Sequence, residues 1–173
     1  MEKRIRTIAS LSTRSFSAYL DEVLLQNNET GQRMRIDHPE ASAIIPFVTD
    51  KEILMVRQYR YALGRETLEI PAGKLDPGES PEQCVRRELL EETGYEARRI
   101  EWVYTYAPAL GYSNELIHIY SGHELSKIDT VLDEREIASV EKISLDRLKT
   151  MIKERLILDG KTLLGLSLLK LIP

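Results

Sequence analysis

Polar and apolar residues alternate in the N-terminal stretch, and from residue 80 onward apolar positions recur at helical spacing. Residues 16–25 alternate well enough for a β-strand, Asn27-Asn28-Glu29-Thr30-Gly31 supplies a turn, and 32–37 run back. Residues 4–38 therefore predict an antiparallel hairpin that a third strand could extend. Alone such a sheet is marginal in water, so it must pack on the main domain or on another subunit. Residues 41–48 and 52–59 flank Thr49-Asp50-Lys51 as a second hairpin, whose near-continuous apolar content marks core strands. Further strands are predicted over 98–106 and 115–121, around a loop at 107–114. Ser144 caps a helix over 145–154 and Asp159 another over 160–171.

The sharpest local signal lies between these elements. Ser80 is a good N-cap, Pro81 sits where a missing N–H costs nothing, and Gln83 completes a capping box. Gly94 supplies the stop, so a helix is predicted over 81–93. Val85, Leu89 and Cys84 form its apolar stripe, while Glu88, Glu91 and Glu92 share another face. Like charges at that spacing cost roughly 0.2–0.5 kcal/mol per pair, and anions near a helix C-terminus also oppose its dipole. Divalent cation binding would turn this repulsion into coordination. Arg87 is placed to grip and orient a neighbouring carboxylate. The commoner source of such a run is a solvated charged face, and the helix alone does not decide between the two.

Composition narrows the partners. The 173 residues suffice for one domain with a real core, and no apolar run or signal-peptide pattern appears, so a cytoplasmic protein without membrane segments is expected. Cys84, the single cysteine, excludes an internal disulfide and reads as packing. A net charge of −4 disfavours nucleic acid, whereas a small phosphorylated ligand needs only bound metal and local arginines. Arg57, Tyr59, Arg60 and Tyr61 leave a strand end together, as an anionic, base-bearing ligand would want, or as solvated residues of an edge strand. The loop at 107–114, with Gly111 beside Tyr112, suits a pocket wall. The acidic run at 129–136 is a linker or a functional loop, and His38, His118 and His123 lack ligand spacing.

Gly73, Glu79, Arg87, Glu88, Leu89, Glu91, Glu92 and Gly94 stand at the spacing of the complete Nudix hydrolase signature, which the chain therefore resembles. Tyr95 follows where that family more often carries an aliphatic residue. From about residue 15 to the end the chain resembles the ADP-ribose pyrophosphatases, through RQYRYALGRETLEIPAGKLDPGE, the acidic loop and the terminal DGKTLLGLSLLKL.

This resemblance implies an α/β protein, a Nudix α/β/α sandwich around a mixed sheet (41–173) with an N-terminal antiparallel β-sheet extension (1–40). It implies a homodimer in which that extension helps form the partner's substrate site. Glu88 and Glu92 would be the principal metal ligands, assisted by Glu91 and the Ala72 carbonyl, for Mg²⁺ or, in its place, Mn²⁺. Glu79 and Arg87 would organise that shell, Arg60 would contact phosphate, and Glu69 would lie near the metals. Glu134 or Glu136 would deprotonate water, and Tyr61 or Tyr112 would stack on the base. The implied reaction is hydrolysis of a nucleoside diphosphate sugar, best ADP-ribose to AMP and ribose 5-phosphate. Alternatives are GDP-mannose, another nucleotide sugar, a dinucleotide, or non-catalytic nucleotide-sugar binding. ADP-ribose-preferring members carry proline sixteen residues after the signature's last glycine. Leu110 stands there, with Gly111 following correctly and Pro108 two residues early.

Overall fold

The computed structural model describes residues 1–129 and 137–172, which divide into two compact units. The first unit comprises Met1–Glu40 and Tyr106–Leu116. Its strands β1 (Lys3–Ser12), β2 (Ser17–Leu24) and β3 (Thr30–Asp37) form an antiparallel sheet in that order, so the predicted hairpin does gain a third strand. Asn28 takes the left-handed conformation (φ 64°) in the β2–β3 turn, a conformation to which asparagine is suited. Segment 106–116 joins this unit through backbone bonds: Ile36 N–H donates to Tyr112 (2.7 Å) and Asn114 N–H to Ile36 (3.2 Å).

The second unit, Ala41–Thr105 with Ile117–Pro173, holds a seven-stranded mixed sheet. Its strands are β4 (Ala41–Thr49), β5 (Glu52–Arg60), β6 (Arg65–Glu69), β7 (Ala72–Lys74), β8 (Tyr95–Tyr106), β9 (Ile117–Lys127) and β10 (Ile137–Ser144). The path runs β10-β5-β4-β9-β8, with β6 on β5 and β7 on β4. β4 and β9 are parallel, while β4 pairs antiparallel with both β5 and β7. Helices α1 (Pro81–Thr93), α2 (Leu145–Lys153) and α3 (Gly160–Leu168) complete it.

Adjacent residues of one strand point to opposite faces, which locates two of these helices. Ile44 packs with Val85 and Leu89 of α1. Ile45, the next residue, lies against Gly165 of α3, where an added Cβ would come within 2.9 Å of its Cδ1. Thus α1 and α3 cover opposite faces of the sheet, the layered arrangement of a sandwich. Ile44, Ile45, Val85, Leu89 and Leu166 are fully buried, each contributing about 1.5–3 kcal/mol of apolar transfer.

Three strands lie outside the elements the sequence predicts: β6, β7 and β10. β10 alternates only weakly and is defined by its antiparallel register on β5, as Val140 opposite Val56. The helix predicted over 160–171 ends at Leu168, where Leu169 N–H turns back to Gly165 and Ser167. No helix among the described residues is long and apolar enough to cross a membrane.

Candidate active site

Strand β7 sets one wall of the site. Ser42 of β4 lies opposite Gly73, and Ala43 opposite Ala72, so the chain enters the 75–80 loop from the centre of the sheet. The loop closes on itself: Asp76 N–H donates to Glu79 Oε2 and Glu79 N–H to the Asp76 carbonyl, both at 2.9 Å. Helix α1 follows with the predicted caps. Ser80 Oγ accepts from Gln83 N–H (3.3 Å), the Gln83 side chain accepts from Ser80 N–H (2.9 Å), and Gly94 is left-handed at φ 73°.

Glu88, Glu91 and Glu92 share a face of α1 yet occupy different depths. Glu92 is only 6% exposed and accepts the Ala72 N–H at 3.0 Å, tying the helix to β7. Glu88 lies against Gly73 so closely that a Cβ there would fall 1.8 Å from its Oε1. Glu91 sits at the rim, its side chain about half exposed. Arg87 links the set. Its Nε and one Nη clamp Glu79 at 2.9 Å each, while the other Nη donates to Glu88 at 2.7 Å and Glu91 at 3.1 Å. Glu79, held first by these bonds, has its pKa lowered to about 2.

Glu92 behaves in the opposite way. Burial first, and then the nearby charge of Glu88, raise its pKa to about 8. Among the described residues no three His, Cys, Asp or Glu side chains gather closely enough to hold an ion, and Arg87 engages Glu79, Glu88 and Glu91. The residues nevertheless fit a hard divalent cation: the donors are carboxylate oxygens, Glu92 is buried and short of positive charge, and only glycine at 73 leaves room for Glu88.

A cavity of about 290 Å³ opens onto this constellation, lined by Gln58, Arg60, Gly73, Arg87 and Glu88 among others. Arg60 also lines an adjoining cavity of about 390 Å³ with Leu63, Thr67, Glu69, Leu158 and Asp159. Glu69 is buried beneath it and takes Arg60 in a two-point grip, at 2.7 and 2.5 Å. Burial alone would raise the Glu69 pKa, but Arg60 and Lys161 bring it down to about 2. A further cavity of about 560 Å³ lies beyond the end of α1 around Tyr95, Lys127 and Lys142, and none of these carboxylates lines it.

Glu88, Glu91, Glu92, Arg87, Ala72, Arg60 and Glu69 thus belong to one neighbourhood of the second unit. Arg57 is directed elsewhere, to Glu141 of β10 at 2.7 Å. Tyr61 is almost fully exposed, and Gly111 and Tyr112 belong to the first unit. Glu134 and Glu136 lie outside the described residues. Sequence reasoning overlooked Lys161, a buried cation on Glu69 and Asp159. A lysine in the first turn of an otherwise apolar helix was the available signal.

Cys84, beneath the helix, has its thiol pKa raised to about 12, chiefly by burial and then by Glu88. It is inert packing.

Residues 37–161 match the NUDIX domain. The methanol dehydrogenase activator of Bacillus methanolicus is 40% identical over 98% of this chain and 93% of its own length. The ADP-ribose pyrophosphatase of Bacillus subtilis (strain 168) is 34% identical over the same shares. A crystal structure of an ADP compounds hydrolase shares the fold with a TM-score of 0.82 at 21% identity, covering 97% of this chain and 93% of that one. With the signature glutamates gathered on α1 against Gly73 and this match spanning most of the sequence, the chain belongs to the Nudix family.

Proposed function

We propose that the protein hydrolyses the pyrophosphate bond of a nucleoside diphosphate sugar, with ADP-ribose as preferred substrate and AMP and ribose 5-phosphate as products. The observation that carries this reading is the juxtaposition of Glu88 with Arg60 and Arg87 around one cavity beside Gly73, with buried Glu92 bonded to Ala72 of the cavity wall. The 34% identity to an ADP-ribose pyrophosphatase along nearly the whole chain supports the substrate.

Glu88 and Glu92, with Glu91 and the Ala72 carbonyl, would hold Mg²⁺, or Mn²⁺ in its place. The bound cation supplies neutralisation of the phosphates and a lowered pKa for water. Arg87 keeps Glu79, Glu88 and Glu91 in place by direct hydrogen bonds. Arg60, aimed by Glu69, meets the non-bridging oxygens and stabilises the charge they carry in ground and transition state alike. Water attacks one phosphorus, the bond from that phosphorus to the bridging oxygen breaks, and the proton passes to Glu134 or Glu136 of the acidic segment. Tyr61 or Tyr112 stacks on the base, and Arg57 steadies the strand end through Glu141.

The first unit exposes Ile5, Leu11, Phe16 and Met34, an apolar surface that suits a homodimer formed through the N-terminal sheet. The protein acts in the cytoplasm on a small molecule and has no role on nucleic acid or membranes.

A dinucleotide is the second reading. It is favoured by the 40% identity to a protein named for activating a dehydrogenase, since nicotinamide dinucleotides carry the same pyrophosphate linkage. Product analysis with Mg²⁺ on ADP-ribose, GDP-mannose, a dinucleotide and a nucleoside triphosphate decides. Selective release of AMP and ribose 5-phosphate is expected. Turnover of the triphosphate alone, or of nothing, would overturn the reading.

A further inference from the structure

We propose that Lys161 is a positioning residue, which through Glu69 sets the charge and direction of Arg60 at the substrate cavity. The proposal rests on the pyrophosphate-hydrolase reading above. Lys161 is the second residue of α3 and only 7% exposed, an unusual place for an ammonium group. Its Nζ donates to Glu69 Oε2 and, at 3.1 Å, lies on Asp159 Oδ2. Both oxygens of Glu69 are occupied: Oε1 accepts from Arg60 Nε and Thr67 Oγ1 (2.6 Å), and Oε2 from Arg60 and Lys161.

The surroundings fix this arrangement. Asp159 caps α3, accepting the Thr162 N–H at 3.0 Å, while Thr162 Oγ1 accepts the Ile70 N–H at 3.0 Å. The first turn of α3 is therefore fastened to residues 69 and 70, just before the Ala72–Lys74 strand that carries Gly73.

Charge balance gives Lys161 its role. Arg60 and Glu69 alone would form a neutral pair, and Asp159 would add a negative charge at the cavity where an anionic substrate must enter. Lys161 brings the cluster of Arg60, Glu69 and Asp159 from one net negative charge to neutrality, so that no excess negative charge faces the phosphate that Arg60 meets while Glu69 holds it in orientation. Removing the ammonium leaves a buried, uncompensated carboxylate next to the arginine. Weaker substrate binding follows, with the hydrolytic machinery on α1 intact.

The test compares wild type, Lys161→Met and the double variant Glu69→Gln with Lys161→Met, reading KM and kcat with Mg²⁺ and calorimetric Kd for ADP-ribose. Lys161→Met is expected to raise KM about tenfold while kcat changes less than about threefold. The double variant, lacking the stranded charge but keeping one amide oxygen for Arg60, is expected to recover part of the loss, with KM at least about threefold below that of Lys161→Met. Unchanged KM in Lys161→Met, or a double variant as impaired as the single, overturns the proposal. If Lys161→Met does not fold, recovery in the double variant still supports the charge argument and its failure still refutes it. Should wild type bind ADP-ribose without hydrolysing it, the functional reading fails while the same comparison of Kd values still judges Lys161. Absence of binding by wild type overturns both.

Discussion

Replacing Gly73 with alanine should separate catalysis from folding. The backbone tolerates the change, because Gly73 is not among the glycines with positive φ. The new Cβ, however, would fall 1.8 Å from Glu88 Oε1 and 2.0 Å from its Cδ, far inside contact distance. The carboxylate is the far end of a flexible side chain, so it must swing away, breaking its bond to Arg87, while the strand stays in place. Its displacement costs about 0.5–1.5 kcal/mol in rotamer strain and about 1 kcal/mol for the lost Arg87 bond, while loss of glycine from the unfolded chain offsets about 0.4–1 kcal/mol of that. Stability should then change by under about 2 kcal/mol, or roughly 4–8 °C in Tm. Catalysis should suffer far more, since a principal oxygen donor has left the site: at least about 100-fold in kcat, near 2.7 kcal/mol. Thermal melts and initial rates of ADP-ribose hydrolysis on the same sample provide the assay. Full activity, or a Tm loss above about 10 °C, would refute the reasoning.

Glu69→Gln should destabilise the protein at pH 7 by on the order of 3 kcal/mol, because Arg60 and Lys161 hold the native carboxyl at about 2 against an ordinary 4.5. A lowered carboxyl pKa stabilises above the unfolded value, so in urea titrations the gap to wild type should narrow as pH falls below about 4.5 towards 2. A gap independent of pH would contradict this charge assignment. Leu89→Ala, at a fully buried position facing Ile44, should cost about 2–5 kcal/mol by denaturant melts, and a loss below about 1 kcal/mol would refute its core role. Glutamate at Leu11 and Met34, 68% and 59% exposed on one face of the N-terminal sheet, should convert the proposed homodimer to monomer in light scattering and raise KM. An unaltered dimer would remove that sheet from the interface.

Much of the site was legible because its determinants are local. Ser80, Pro81, Gln83 and Gly94 mark both ends of α1: Ser80, Gln83 and Gly94 satisfy backbone groups of the helix, and Pro81 sits where no N–H is needed. The spacing of Glu88, Glu91 and Glu92 likewise reads directly as a common face. What stayed hidden depends on distant partners. β7 is three residues long and exists only through its pairing with β4; β10 is aligned by β5, some eighty residues away. The differing depths of Glu91 and Glu92 arise from where β7 lies, which no helical projection shows. Lys161 is hidden for the same reason, since it meets Glu69 across 92 positions of sequence. Arg57, grouped with Arg60 by proximity in the chain, is turned to Glu141 by the strand that sequence reasoning omitted.

In the proposed function the α1 carboxylates build a cation-dependent hydrolytic site. It is tested most directly by measuring Mn²⁺ binding, by electron paramagnetic resonance, together with ADP-ribose turnover in wild type and Glu92→Gln. Glu92→Gln should remain folded, lose most Mn²⁺ affinity, and lose turnover by at least about 100-fold. A folded Glu92→Gln that binds Mn²⁺ and hydrolyses ADP-ribose like wild type would contradict the claim.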